Sequence, residues 1–159
     1  LPHGGPYPIP YTREDAADPA ALIATFARGV SHYLLESAAE EPPCTDELRE
    51  AFVELGAVLM GFGVILANST FGFAQHDSGG LHGWSSSARG TLGEDALGYA
   101  LALFVELADT DPKLALAHLR ANPKAAFKWA RSQLHGARRS TLERLRAIQP
   151  VTSDGGPYR

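Results

Sequence analysis

The sequence LGAVLMGFGVILANS, residues 55–69, is the strongest indication of the fold of this chain. Its apolar run from residue 57 to 67 is about half of the roughly 20 residues that a membrane span needs, so it predicts a buried helix. Gly56, Gly61 and Gly63 interrupt the stretch, although glycine lowers helix propensity. We therefore expect a central helix that either lies very close to a neighbouring helix or bends.

A second helix is predicted upstream of this stretch. Asp18-Pro19 combines an N-cap with proline at the first helical position, and the pattern then continues to about residue 39. Residues 40–43 break the pattern, and Thr45 is expected to start the glycine-containing helix. The apolar residues after Pro19 recur at helical spacing: they are Leu22, Ile23, Phe26, Val30, Tyr33 and Leu34.

Downstream of residue 68 the helical period stops. Asp77-Ser78-Gly79-Gly80 predicts a small hairpin or an irregular element around residues 70–90. Three further helices are predicted, one from a capping box and two from cap-plus-proline pairs. Their start signals are Thr91 with Glu94, Asp111-Pro112 and Asn122-Pro123, and Gly136 is the predicted stop of the last. The predicted fold class is mainly α.

The chain divides into three parts. Residues 1–17 are a Pro/Gly-rich lead-in that we expect to be extended, and residues 18–136 form a single helical domain. Arginines accumulate in residues 137–159, which predicts a short solvated helix and a flexible tail. The Pro/Gly-rich start without Met is typical of a fragment or a trimmed product, so an upstream domain is compatible with it.

Composition excludes some classes of function. The net charge of -4 and a pI near 5.8 provide no basic field for nucleic acid, so we expect no nucleic-acid partner. With a single cysteine, Cys44, the chain cannot form an internal disulfide, which fits a cytoplasmic protein. No membrane partner is expected. The motifs of serine hydrolases (G-x-S-x-G) and of phosphate-binding loops are absent from the sequence.

The stretch RGVSHYLL, residues 28–35, has the spacing of a zinc-binding H-E-x-x-H helix whose chemistry is missing. Such a helix places two His one turn apart to hold the metal, with a Glu beside the first to activate water. Only the second His is present here, as His32. Arg28 stands at the first ligand position and Gly29 at the position of the base.

Together with residues 55–69, two later segments carry a family resemblance: Gly83-Trp84-Ser85 and the run from Leu97 to Phe104. In order and spacing the chain resembles, over about residues 20–135, a little-characterised bacterial family of zincin-like zinc metallopeptidases. The resemblance implies that His32 matches the second zinc ligand and Glu54 the downstream acidic position, which would be the third ligand.

Two of the matched positions lack the required chemistry. Arg28 cannot bind zinc because its guanidinium stays protonated, and Gly29 has no carboxylate to take a proton from water. The resemblance therefore implies a catalytically inactive member that uses no zinc. We expect it to act as a protein- or peptide-binding or scaffold module, alone or within a larger chain.

An ion pair between Arg28 and Glu54 is predicted to replace the metal as the tie between the two helices, because a buried carboxylate needs a partner. Other interpretations of the same residues stay open. A single His among apolar neighbours, such as His32, is often a packed and hydrogen-bonded side chain. Glu54 lies near the second turn of its helix and would also be compatible with a solvent-facing position.

Two other functions are compatible with the sequence. The first is a metal-dependent hydrolase with a non-standard zinc site, formed by His32 and Glu54 with a third ligand from Glu36, His76 or His82. Glu36 lies one turn beyond His32 on the same helix. The second is a small-molecule sensor with a pocket between the glycine-containing helix and its neighbours.

Overall fold

The computed structural model describes residues 6–38, 40, 42–72 and 91–148, and within these ranges the regular elements are all helical. The predicted mainly α class is confirmed. The predicted hairpin around residues 70–90 lies outside the described residues except for residues 70–72, whose backbone continues a helix. The helix thus extends past residue 68, to residue 72.

Eight α-helices are described. A 3₁₀ turn over Asp46–Leu48 leads into the third helix, and a wider π-helical turn over Val58–Phe62 joins the third helix to the fourth. The helices are α1 (Arg13–Ala17), α2 (Pro19–Glu36), α3 (Arg49–Ala57), α4 (Gly63–Gly72), α5 (Glu94–Leu107), α6 (Pro112–His118), α7 (Ala121–His135) and α8 (Arg139–Arg146).

Several helix ends follow the sequence signals. The Asp18 carboxylate accepts hydrogen bonds from the first-turn N–H groups of α2, and Asp111 caps α6 in the same way. Gly136 is the C-cap of α7, as predicted. These ends depend only on local residues, which explains why the sequence predicts them.

Two predicted starts are wrong by a few residues. The expected capping box at Thr91 does not form, because α5 begins at Glu94 with Gly93 as its N-cap. Likewise Arg120 is the N-cap of α7, so the predicted Asn122-Pro123 start falls inside the first helical turn. Proline is tolerated there because the first-turn N–H groups have no partner within the helix.

The lead-in is only partly extended. Residues 6–12 are non-helical, but residues 13–17 form the short helix α1, in which Thr12 and Asp15 exchange the two hydrogen bonds of a capping box. The predicted short C-terminal helix is present as α8, and most of its residues are exposed. Leu142 of α8 is 3% exposed and belongs to the core, so α8 is docked on the domain.

Helix α2 buries its small side chains. Its buried residues are Ala21, Ala24, Ala27 and Ser31. The large apolar residues at helical spacing lie on the other side, where Ile23, Phe26, Val30 and Leu34 are 38–51% exposed. The reason is close helix packing: a Cβ on Gly56 of α3 would overlap the Ser31 hydroxyl, and only small residues permit this approach.

Both expected roles of the central glycines are present. Gly56 and Gly63 lie against neighbouring side chains, and Gly61 has φ +96°, in the left-handed region, where it bends the helix between α3 and α4. The stretch Asp46–Ser69 is long and apolar enough, by length and composition, to cross a membrane, and 39% of its most apolar window is buried. The core helix of a soluble protein meets the same criterion.

Helix α5 lies between two hydrophobic clusters. Leu97 and Ala100 pack with α2, with α3 and with the π-helical turn, whereas Leu101 and Val105 pack with α6, α7 and α8. Its most extensive helix contact is with α7. The centre of the domain is therefore formed by α5 together with the glycine-containing helix that the sequence predicts to be central. These two elements position the candidate site.

Candidate functional site

An ion pair connects α2 to α3 at the positions singled out in the sequence. The Nε of Arg28 donates a hydrogen bond to Oε1 of Glu54 at 2.8 Å. Glu54 is only 2% exposed, so it faces the protein interior and not the solvent. The predicted Arg28–Glu54 pair is confirmed.

Glu54 also holds the chain that precedes α5. Its second oxygen, Oε2, accepts a hydrogen bond from the backbone N–H of Leu92. One buried carboxylate therefore joins α2, α3 and the residue two before the start of α5. These hydrogen bonds compensate part of the free-energy cost of burying the charge.

The lead-in lies across the same part of α2. The Ile9 side chain contacts Gly29 so closely that a Cβ built on Gly29 would be 2.6 Å from Ile9 Cγ2. The Tyr7 hydroxyl and Nδ1 of His32 form a hydrogen bond of 2.6 Å, and the His32 side chain is half-buried. Gly29 is thus covered by an aliphatic side chain, and His32 is packed and hydrogen-bonded.

A cavity of about 290 Å³ remains between the lead-in, α2 and α3. Its volume is near the lower limit for small-ligand pockets. Its walls come from three elements, and its lining residues are Tyr7, Pro8, Ile9, Pro10, Thr25, Arg28, Gly29, His32, Glu50 and Val53. The lead-in therefore covers this groove without filling it.

Among the described residues, Glu54 is paired with a cation. Because Arg28 lies 2.8 Å from one of its oxygens, a zinc ion on this carboxylate would face a permanent positive charge. Of the alternative third ligands, Glu36 pairs with Arg49 at 2.9 Å, and His76 and His82 lie outside the described residues. No group of three or more His, Cys, Asp or Glu that could hold a metal is found within the described residues.

A second buried carboxylate, not noted in the sequence, joins α5, α7 and α8. Oε1 of Glu106 contacts Arg131 at 2.8 Å and His135 at 2.9 Å, and Arg146 donates to its backbone carbonyl. Burial raises the pKa of Glu106, but the hydrogen bonds and positive charges of His135 and Arg131 more than reverse this, so its pKa lies below the ordinary value.

Sequence reasoning missed the residues that cover the site, Tyr7 and Ile9. The signal that would have found them is the alternation Tyr7-Pro8-Ile9-Pro10-Tyr11, in which proline separates large apolar side chains. Such a pattern is typical of an extended recognition segment more than of a loose lead-in. The Glu106 cluster has no comparable signal because its members are up to 40 residues apart.

No family model matches this chain, and no curated protein or solved structure matches it either.

Proposed function

We infer that this chain is a non-catalytic peptide-binding domain that uses a degenerate zinc-metallopeptidase-like site. The observation that carries the proposal is the extended segment lying on the site: Ile9 covers Gly29, and Tyr7 bonds to His32. The site residues hold a stretch of polypeptide and offer it no group to cut it, since Gly29 has no side-chain base.

The ion pair supports the same proposal. A zinc peptidase uses its metal cation to polarise the scissile carbonyl, whereas at the matched position this chain has Arg28, a cation paired with Glu54. Because both Glu54 oxygens are engaged, the pair keeps α2 and α3 together without a metal. The groove would thus keep its shape while the reaction is lost.

The degenerate-peptidase part of the proposal is tested by restoring one ligand. Arg28→His should give the protein close to one zinc per chain after zinc is added in excess and removed by desalting, whereas the wild type should retain far less. The matched control is Arg28→His combined with Glu54→Gln, which should lose the gained zinc because a ligand is missing. Failure of Arg28→His to gain zinc would refute the assignment of these positions as former ligands.

The peptide-binding part has its own test. An array of immobilised peptides, probed with the full chain, should give reproducible binding that weakens when His32→Ala removes the polar anchor of the groove. Elemental analysis and binding are independent, so one part can fail without the other. Absence of binding to every peptide on the array would refute the peptide-binding proposal.

A further inference from the structure

The segment from Tyr7 to Tyr11 runs antiparallel to α2. Tyr7 lies on His32 and Tyr33, with ring centroids 6.3 Å and 5.1 Å apart. Two residues later Ile9 lies on Gly29, and after two more Tyr11 meets Phe26 edge-on at 6.0 Å. Each step of two residues forward along the segment thus moves about one turn back along α2.

The two-residue repeat of the segment matches the turn of α2 for a geometric reason. Two residues of an extended chain advance by about 6.6 Å and bring the side chain back to the same side, and one helical turn rises by about 5.4 Å. Every second side chain of an extended segment therefore meets the next turn of the helix. The three contacts of this segment are a consequence of that match, and any segment with the same alternation fits the same surface.

The prolines prepare the segment for binding. Pro8 and Pro10 have fixed φ angles, and each restricts the residue before it, Tyr7 or Ile9, to extended conformations. A segment that is already extended loses little conformational entropy when it docks. Their missing N–H groups need no partner in a groove made of helical side chains.

Gly29 determines which side chain fits at the centre. Because a Cβ on Gly29 would be 2.6 Å from Ile9 Cγ2 and 2.9 Å from two further Ile9 carbons, a branched aliphatic residue fits only while this position is glycine. One turn away, Nδ1 of His32 provides a polar anchor for a phenol hydroxyl. The groove therefore distinguishes its central position by shape and its first position by a hydrogen bond.

The two tyrosine rings of the segment Tyr7–Tyr11 are only partly buried. Tyr7 is 42% and Tyr11 is 59% exposed, and the cavity of about 290 Å³ remains beside the segment. An occupant that buries so little of its two rings can be exchanged for one that fills the groove better.

We propose that the groove between α2 and α3 recognises segments of the pattern aromatic-Pro-aliphatic-Pro-aromatic from another protein, and that Tyr7–Tyr11 is an internal occupant that competes with them. This inference rests on the proposed peptide-binding function and names its ligand class. The other protein supplies the segment in an accessible, proline-interleaved region, because only an extended chain matches the turns of α2.

The test uses a fluorescent peptide of residues 6–12, PYPIPYT, and the full chain. In the variant Ile9→Asp the internal segment is expelled, and the peptide should bind at least about tenfold more tightly than to the wild type, because a tethered competitor is present at high effective concentration. Fluorescence anisotropy measures the affinity, and far-UV circular dichroism checks that the helices are retained.

Selectivity is tested by adding Gly29→Ala to Ile9→Asp. The added methyl should weaken binding of PYPIPYT by at least about tenfold, whereas the peptide PYPAPYT, with Ala at the centre, should bind both proteins equally. Alanine favours the helix at this position, so α2 should remain intact.

The outcomes separate the two proposals. If array peptides bind but Gly29→Ala does not discriminate between PYPIPYT and PYPAPYT, the recognition pattern is refuted and the peptide-binding function stands. If no peptide binds either protein, both proposals fail. If wild-type chains form dimers that Ile9→Asp dissolves in size-exclusion chromatography, the occupant is the lead-in of a second copy, and the proposal of a different partner protein is overturned.

Discussion

Glu54 shows how much one residue contributes to this molecule. Its buried carboxylate accepts hydrogen bonds from the Arg28 side chain and the Leu92 backbone, so it ties together three parts of the chain that are far apart in sequence. The pair could be predicted because the resemblance to zinc metallopeptidases implies that Arg28 and Glu54 face each other, and a buried carboxylate needs a partner. The contact with Leu92 could not, because it depends on where the chain returns to the domain.

Removing Arg28 should therefore destabilise the protein. Arg28→Ala leaves a buried carboxylate without its cation, which typically costs about 3–5 kcal/mol. The Arg28 side chain is 19% exposed, so we expect the lower end of this range. Urea unfolding of the variant and the wild type measures the difference.

Arg49→Ala is the matched control. The Arg49–Glu36 pair has the same length within 0.1 Å, but both side chains are at least one-third exposed. Its loss should cost less than about 1 kcal/mol, because water screens and replaces the interaction. Equal effects of the two substitutions would mean that burial does not decide the strength of the Arg28–Glu54 pair.

Glu106 should make stability depend on pH. Because its pKa is lower in the folded state than in the unfolded chain, its charge stabilises the fold above the unfolded pKa, about 4.3, and this contribution is lost as the pH falls through the folded pKa. Glu106→Gln should therefore destabilise the protein by about 1–3 kcal/mol at pH 7, since it weakens bonds to His135, Arg131 and Arg146.

Urea unfolding from pH 7 down to about pH 3 measures this contribution, since the ordinary pKa of a glutamate lies within that range. The difference in stability between wild type and Glu106→Gln should shrink toward acid pH. A difference that stays constant or grows as the pH falls would contradict the assigned direction of the Glu106 pKa.

At the scale of helices, α2 shows where periodicity is insufficient. Its spacing correctly predicts a helix, and its large apolar residues suggest which face is buried. The structure buries the alanine face instead, because Gly56 lets α3 approach until Ser31 is in contact. This close approach brings Arg28 within reach of Glu54 and leaves the side with Phe26 and Tyr33 for the lead-in.

The N-terminus of α5 has no side-chain cap, so a substitution at the N-cap can stabilise it. Gly93 has φ -65° and ψ 169°, the extended conformation of an N-cap, but no side chain caps the helix, and a Cβ there would meet nothing within 4 Å. Gly93→Ser should be more stable than Gly93→Ala by about 1 kcal/mol, because only the hydroxyl can accept a first-turn N–H. Thermal unfolding compares the two variants, and equal stability would show that the hydroxyl does not cap α5.

Across the domain, the contact between α5 and α7 is limited by backbone atoms as well as by a side chain. A Cβ on Gly98 would be 2.7 Å from Ala126 Cβ and 3.0 Å from the Ala126 backbone. Gly98→Ala should therefore push the helices apart and cost about 1–3 kcal/mol, measured by urea unfolding, despite the better helix propensity of alanine.

Gly63→Ala is the control for Gly98→Ala. Its added Cβ would meet mainly the end of the Leu101 side chain, at 2.8 Å, which can rotate away. The cost should be smaller than that of Gly98→Ala. If the order is reversed, backbone contact is not what limits the distance between α5 and α7.

Charge is divided between the two ends of the chain. Residues 1–119 carry 16 acidic and 5 basic side chains, whereas residues 120–159 carry 2 acidic and 9 basic ones. The net charge of -4 is therefore the sum of a strongly acidic part and a basic part, and the basic part includes α7 and α8. The acidic part therefore repels polyanions, whereas the basic charges of these two helices do not.

The helical class and the helix ends at Asp18, Asp111 and Gly136 follow from the sequence alone, and the resemblance to zinc metallopeptidases added the pairing of Arg28 with Glu54. These features depend on local backbone chemistry or on the need of one buried charge for another. Only the tertiary structure decided which face of α2 is buried and that Ile9 covers Gly29. Both follow from how closely two helices approach, and that distance is set by contacts between residues remote in sequence.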